Sequence, residues 1–232
     1  MPQSVTSVSS QASALQQLAE EYEGQPLIRA LVQLILAPLP YGIGNALDDA
    51  LTSAIQNIRA NRARVFFDEL AKGSADLTEE VITSNDFLHA YFATTKAVLN
   101  TRREEKIRLF ARLLMNGVSM QLVGSEQFEE FLAILNDLSI EELNILLILR
   151  QIELDPGRLK PARLHWPAFQ KEVQAKCRIE ADVLCAKLAR LNRTGLYATE
   201  TGGYIGGGGG WGNLTVLFSE FVKWIEVKNA DV

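Results

Sequence analysis

The feature that most restricts this chain is a helical apolar period in its first half. Between Ala46 and Ala71, the residues Leu47, Leu51, Ala54, Ile55, Ile58, Val65, Phe66 and Leu70 recur at helical spacing. That spacing lays an apolar stripe along a single helix, which must be covered by a neighbour. Arg59, Arg62 and Arg64 fall on the polar face, and Gly73 supplies a C-terminal stop. A chain built this way is expected to fold as packed helices.

The flanking segments carry the same texture. Ser10 can cap a helix over 12–21. Pro26 suits the first turn of a helix over Leu27–Ala37, which is apolar nearly all round and reads as a central buried helix. The run from Pro38 to Gly44 then forces a turn. A short helix is expected over Thr78–Thr83. Ser84-Asn85-Asp86 caps the next, with Phe87, Leu88, Tyr91, Phe92, Ala97, Val98 and Leu99 as its core. Thr101 and Glu104 have capping-box spacing for a helix to Val118, with Ile107, Phe110, Ala111, Leu113 and Leu114 inward. Ser125 opens a helix carrying Phe128, Phe131, Leu132 and Leu135. Ser139 and Glu142 form a second capping box for an apolar helix to Glu153.

Beyond Asp155-Pro156-Gly157 the texture changes. Leu159–Trp166 reads as one short strand, Pro167–Cys177 and Ile179–Asn192 as helices, and Leu196–Thr199 as a strand. Val183, Leu184, Ala186, Leu188 and Leu191 are the packing face of the second helix. A glycine-dominated loop follows from Glu200 to Gly212, and Leu214 opens a last amphipathic segment with Leu217, Phe218, Phe221, Val222, Trp224 and Ile225. The order of elements, with Leu184, Leu188 and Leu191 ahead of Gly195-Leu196, resembles a winged-helix domain over Ser139–Val227. The expected fold class is therefore mainly α. An N-terminal helical bundle over 1–138 leads into a winged-helix-like α+β domain over 139–232, with a small β-hairpin and a glycine-rich wing.

Charge divides along the same line. The chain has net charge −5, with 47% apolar and 22% charged residues, a composition of folded globular proteins. From Pro156 to Thr201 nine basic residues face four acidic ones, whereas 126–155 holds eight acids against Arg150 alone. A basic helix-and-wing surface over 156–201 is suited to phosphates. Lys187, Arg190 and Arg193 share one face of their helix, with Trp211 beside the loop as a stacking residue. Glu180 and Asp182 stand where a recognition helix meets base edges, which argues against reading a sequence.

Motifs for chemistry are missing. His89 and His165 are the only histidines, and no zinc-protease, serine-hydrolase or Cys/His metal pattern is present. Eight of the 16 glycines lie between Gly202 and Gly212, but Asn213-Leu214 follows where a phosphate loop needs Lys and Ser or Thr. Asp48-Asp49 and Glu104-Glu105 read as helix starts. No catalytic residue, metal site or cofactor is expected, so the chain is not read as an enzyme. Cys177 and Cys185 read as free thiols. Met1–Ser10 lacks the basic and apolar regions of a secretory signal, so the expected location is cytoplasmic.

A further set of residues comprises Leu39-Pro40-Tyr41-Gly42-Ile43-Gly44, Arg62 with Phe66-Phe67 and Leu70, Asn85-Asp86-Phe87, Glu105-Lys106-Ile107, and Leu113-Leu114 with Asn116. Over Leu27–Val227 this combination resembles uncharacterised bacterial helical proteins with a C-terminal winged-helix-like segment. Some of these lie near anti-phage or stress genes, which implies a defence or regulatory setting and transfers no functional residue. The expected function is a non-enzymatic cytoplasmic module that binds a protein partner or itself. One alternative is a nucleic-acid-binding regulator using the 156–201 surface. A second is a membrane-acting defence effector releasing the apolar 27–43 helix.

Overall fold

The structure is a computed structural model describing residues 17–36, 49–73, 76–155, 157, 162–200 and 211–226, with backbone alone at 36, 49–56 and 163. It is mainly helical, with a small two-stranded antiparallel sheet near the C-terminus. The chain separates into two compact units. One comprises the residues up to Ala133 together with Ile225 and Glu226, and the other Ile134–Trp224.

The first unit is built around helix α2 (Asp49–Lys72), preceded by α1 (Pro26–Leu36) and followed by α3 (Glu79–Thr83), α4 (Asn85–Asn100) and α5 (Glu104–Ser119). The fully buried rings of Phe66, Phe67, Phe87, Tyr91 and Phe110 make its core. α2 packs chiefly on α5 and also against α4 and α1. On α5 all five expected inward residues, Ile107, Phe110, Ala111, Leu113 and Leu114, are buried. A stretch of helix at 17–21 precedes α1. It is tied down by Tyr22, whose hydroxyl donates to Asp68 Oδ1 at 2.7 Å, and by the Glu21–Arg64 ion pair.

Several local expectations need correction here. α1 is not buried all round: Ile28, Leu31 and Val32 are buried, while Gln33 and Leu34 are exposed. Its apolar content exceeds what one packed face can cover. Thr101 does not cap α5. Arg103 is the N-cap and makes no side-chain cap bond, while the Thr101 hydroxyl donates back to Ala97 O at 2.9 Å. Thr101 N–H also donates to Val98 O, so this residue closes α4. A threonine at such a junction can satisfy either helix, and the carbonyls behind it were the nearer partners. On α4 the buried stripe runs through Phe87, Ala90, Tyr91, Thr94, Thr95 and Val98, which leaves Phe92 outside it.

One ionic cluster, centred on the buried Glu69, joins α2 to α5. Glu69 accepts from Arg112 Nε at 2.6 Å and from Lys72 Nζ at 2.7 Å. Burial alone pushes the Glu69 carboxyl up, but the bonds from Lys72 and Arg112 outweigh it and hold the group below its ordinary 4.5. A lowered folded pKa means that the carboxylate's contribution is complete above 4.5 and is lost as pH falls through the folded value. Glu69→Gln is expected to cost about 2 kcal/mol near neutral pH, the range for a charged hydrogen bond. In urea titrations followed by far-UV dichroism, the gap from wild type should close as pH drops below 4.5. A gap independent of pH would assign the loss to packing.

The second unit holds α7 (Ile140–Leu154), α8 (Ala162–Cys177), α9 (Ala181–Arg193), strands β1 (Tyr197–Thr199) and β2 (Gly212–Leu214), and most of α10 (Val216–Ile225). α6 (Glu126–Asp137) precedes them. The Ser139 capping box forms as expected, with Ser139 Oγ accepting from Glu142 N and Glu142 Oε2 accepting from Ser139 N. β1 and β2 pair antiparallel, with Tyr197 opposite Leu214 and Thr199 opposite Gly212. Glu153 Oε1 accepts from Leu214 N, and Thr215 Oγ1 donates to Gly195 O, so the C-terminal end of β2 is held.

The strand expected over Leu159–Trp166 is corrected from Ala162 onward, where α8 already runs with Pro167 inside it. Trp166 and Phe169 are buried with their rings 5.1 Å apart. Burying both on one helical face overrides the preference of proline for a helix start. Arg178, at φ 58°, breaks the chain between α8 and α9. Leu184, Leu188 and Leu191 pack as expected, but Val183 is half exposed and Ala186 is exposed. Outside the described residues lie the start of the helix expected over 12–21, the 38–44 turn, the start of the long helix at 46–48, residues 159–161 of the expected strand, and 201–210 of the glycine loop.

Candidate functional site

The basic face anticipated on α9 is engaged within its own unit. Lys187 Nζ lies 2.5 Å from Glu141 Oε2. Arg190 reaches Asp137 Oδ1 and Glu142 Oε1, each at 3.3 Å, and donates to Asp137 O at 2.6 Å. Glu142 is almost fully buried, so Arg190 neutralises a carboxylate that the capping box already holds in place. Arg193 is exposed and has no ion-pair partner among the described residues. Trp211 is half buried, and its carbonyl accepts from Glu200 N at 2.9 Å. These four residues therefore do not form one free basic surface: two of the three cations already face acids.

Cys177 and Cys185 are both free thiols of intermediate exposure. Among the described residues no group of three or more His, Cys, Asp and Glu side chains is placed to hold a metal ion. No described helix is long and apolar enough to cross a membrane.

A candidate site lies in the first unit. A cavity of about 700 Å³ opens among the last turns of α1, the middle of α2 and the second half of α4. Its apolar surface comes from Leu34 and Ile35 of α1, Ile58 of α2, and Phe92 and Leu99 of α4. Ile58 is 49% exposed, Phe92 46% and Leu34 37%, so this is a groove open to water. Both Ile58 and Phe92 were expected in the core. They fall outside it because the buried stripe of α2 passes through Ala60, Ala63, Phe66 and Phe67, and that of α4 through Tyr91 and Thr95.

Cations flank this apolar strip, and none of the described residues lining it is acidic. Arg62 donates to the carbonyl of Leu99, a terminal acceptor of α4 that the helix itself leaves open. That bond pins one wall of the groove to the other. Arg59 and Lys96 are exposed and have no ion-pair partner among the described residues. Thr95, 5% exposed, lines the same groove with its hydroxyl oxygen buried.

The spacing that builds this site was visible in retrospect. Ile58 and Arg62, and likewise Phe92 and Lys96, are four apart, so each apolar residue shares a helix face with a cation. No family model, curated protein or solved structure matches this chain.

Proposed function

We propose that this protein is a non-enzymatic cytoplasmic interaction module whose partner protein docks in the α1–α2–α4 groove. In this reading the first unit is a helical bundle and the second, from about residue 139, a winged-helix-like domain. The observation that carries the proposal is the groove itself. Ile58, Phe92 and Leu34 expose apolar surface side by side. Contiguous exposed apolar surface rimmed by polar groups is a mark of binding sites. The alternative on 156–201 is less favoured, because nucleic acid would have to draw Lys187 and Arg190 away from Glu141, Asp137 and Glu142.

In-cell photocrosslinking tests the reading. A photoreactive phenylalanine analogue is placed at position 58 or 92, with exposed Glu104 as the control position. A discrete protein adduct at both groove positions and none at the control is the expected result. Equal labelling at all three positions, or no adduct in the groove, would sink the proposal. Light scattering on the purified protein then tells a second copy from a different chain.

A further inference from the structure

We infer that the groove receives an acidic amphipathic helix: apolar anchors on Ile58 and Phe92, carboxylates over Arg59 and Lys96. This rests on the docking reading above and adds the chemistry of the partner. Two observations select it. First, Arg59, Arg62 and Lys96 line the groove with no acid among its described lining residues, so its field favours a negative occupant. The chain carries net charge −5, which makes this a local reversal of its overall sign.

Second, the shape suits a helix. Along α4 the groove runs from Phe92 to Asn100, about 12 Å at ~1.5 Å per residue. Helices that dock in grooves present anchors at i, i+3 or i+4, and i+7, which span about 10.5 Å at ~1.5 Å per residue. A small lipid would instead be largely enclosed by its pocket, whereas Ile58 and Phe92 remain about half exposed.

The test uses the full chain and two fluorescent helical peptides. They share one leucine face and carry either Glu or Lys on its flanks. The Glu peptide should bind about tenfold more tightly, the sum of a few partly exposed charge pairs, and added salt should narrow the difference. Arg59→Glu with Lys96→Glu should reverse the order. Arg62 is left intact because it holds the Leu99 carbonyl. Unchanged thermal melting confirms that the double variant is folded.

Equal binding of both peptides overturns the charge assignment, as does a Glu peptide indifferent to the double variant. A long-chain fatty acid that displaces the Glu peptide and binds more tightly replaces the helix with a lipid. Binding that appears only after Leu39, Tyr41 and Ile43 are changed to Ser makes the chain's own α1–α2 connection the occupant. Groove adducts in cells with neither peptide bound would leave the docking reading standing and remove this inference alone.

Discussion

Phe110→Ala should unfold much of the first unit's margin of stability, whereas Phe92→Ala should leave it nearly intact. Phe110 is 0% exposed and sits on α5 among Ile107, Ala111 and Leu114. Removing a fully buried ring leaves a cavity and costs about 3–5 kcal/mol. Phe92 is 46% exposed in the groove wall, so its truncation removes contacts that water already shares. A loss below about 1 kcal/mol is expected there, in keeping with partial burial. Urea unfolding followed by far-UV dichroism measures both. The same two variants should exchange ranks in peptide binding, with Phe92→Ala weakening it strongly. If Phe92→Ala destabilised the fold as much as Phe110→Ala, the groove would be part of the core and would not be a binding surface.

Gly212→Ala should be the most disruptive single methyl group in the second unit. A Cβ built at Gly212 would lie 2.0 Å from the carbonyl oxygen of Ala198 and 2.8 Å from the Tyr197 ring. The first obstacle is backbone, so no rotamer change relieves it. β1 and β2 must move apart, which weakens the pairing of Thr199 with Gly212 and uncovers the buried Tyr197. Overpacking of this kind costs about 3 kcal/mol or more. The three tryptophans, Trp166, Trp211 and Trp224, all belong to the second unit, so their fluorescence reports on it directly. The expected result is a clear drop in the fluorescence midpoint. Gly157→Ala, in the same unit, is the control: its added Cβ meets only Asp155 Oδ1, at 3.4 Å, and stability should stay within about 0.5 kcal/mol. A Gly212→Ala midpoint equal to wild type would mean that the hairpin is not closed as described.

Helix positions were legible because their signals are local. The Ser139–Glu142 capping box needs two side chains three residues apart, and both are present. Ser84 and Ser125 likewise accept from the N–H groups of Phe87 and Phe128. Local signals fail where two elements compete for the same residue. Thr101 lies between α4 and α5, and its spacing to Glu104 suggests a cap that the carbonyl of Ala97 takes instead. Pro167 is a similar case: its preference for a first turn gives way to the burial of Trp166 and Phe169.

The candidate site was the least legible part, for a physical reason. Charge counting drew attention to Lys187, Arg190 and Arg193, because counting along a chain cannot see acids brought in from elsewhere. Glu141 and Glu142 are distant in sequence and stand beside them in space. Periodicity hid the groove in a different way. Ile58 and Phe92 obey the same helical period as the core residues near them, and periodicity records only that a residue is apolar.

By itself, then, the sequence determined what depends on neighbours along the chain: which segments are helical, where several begin, and that Gly195-Leu196 leads into a strand. The tertiary structure decided which of several apolar stripes on one helix is covered, and which cations meet a carboxylate. Both depend on the rotation of each helix against its neighbours, a quantity set by the summed packing of α1, α2, α4 and α5. A shift of one stripe on α2 and α4 separates a fully closed core from an open groove lined by Arg59, Arg62 and Lys96.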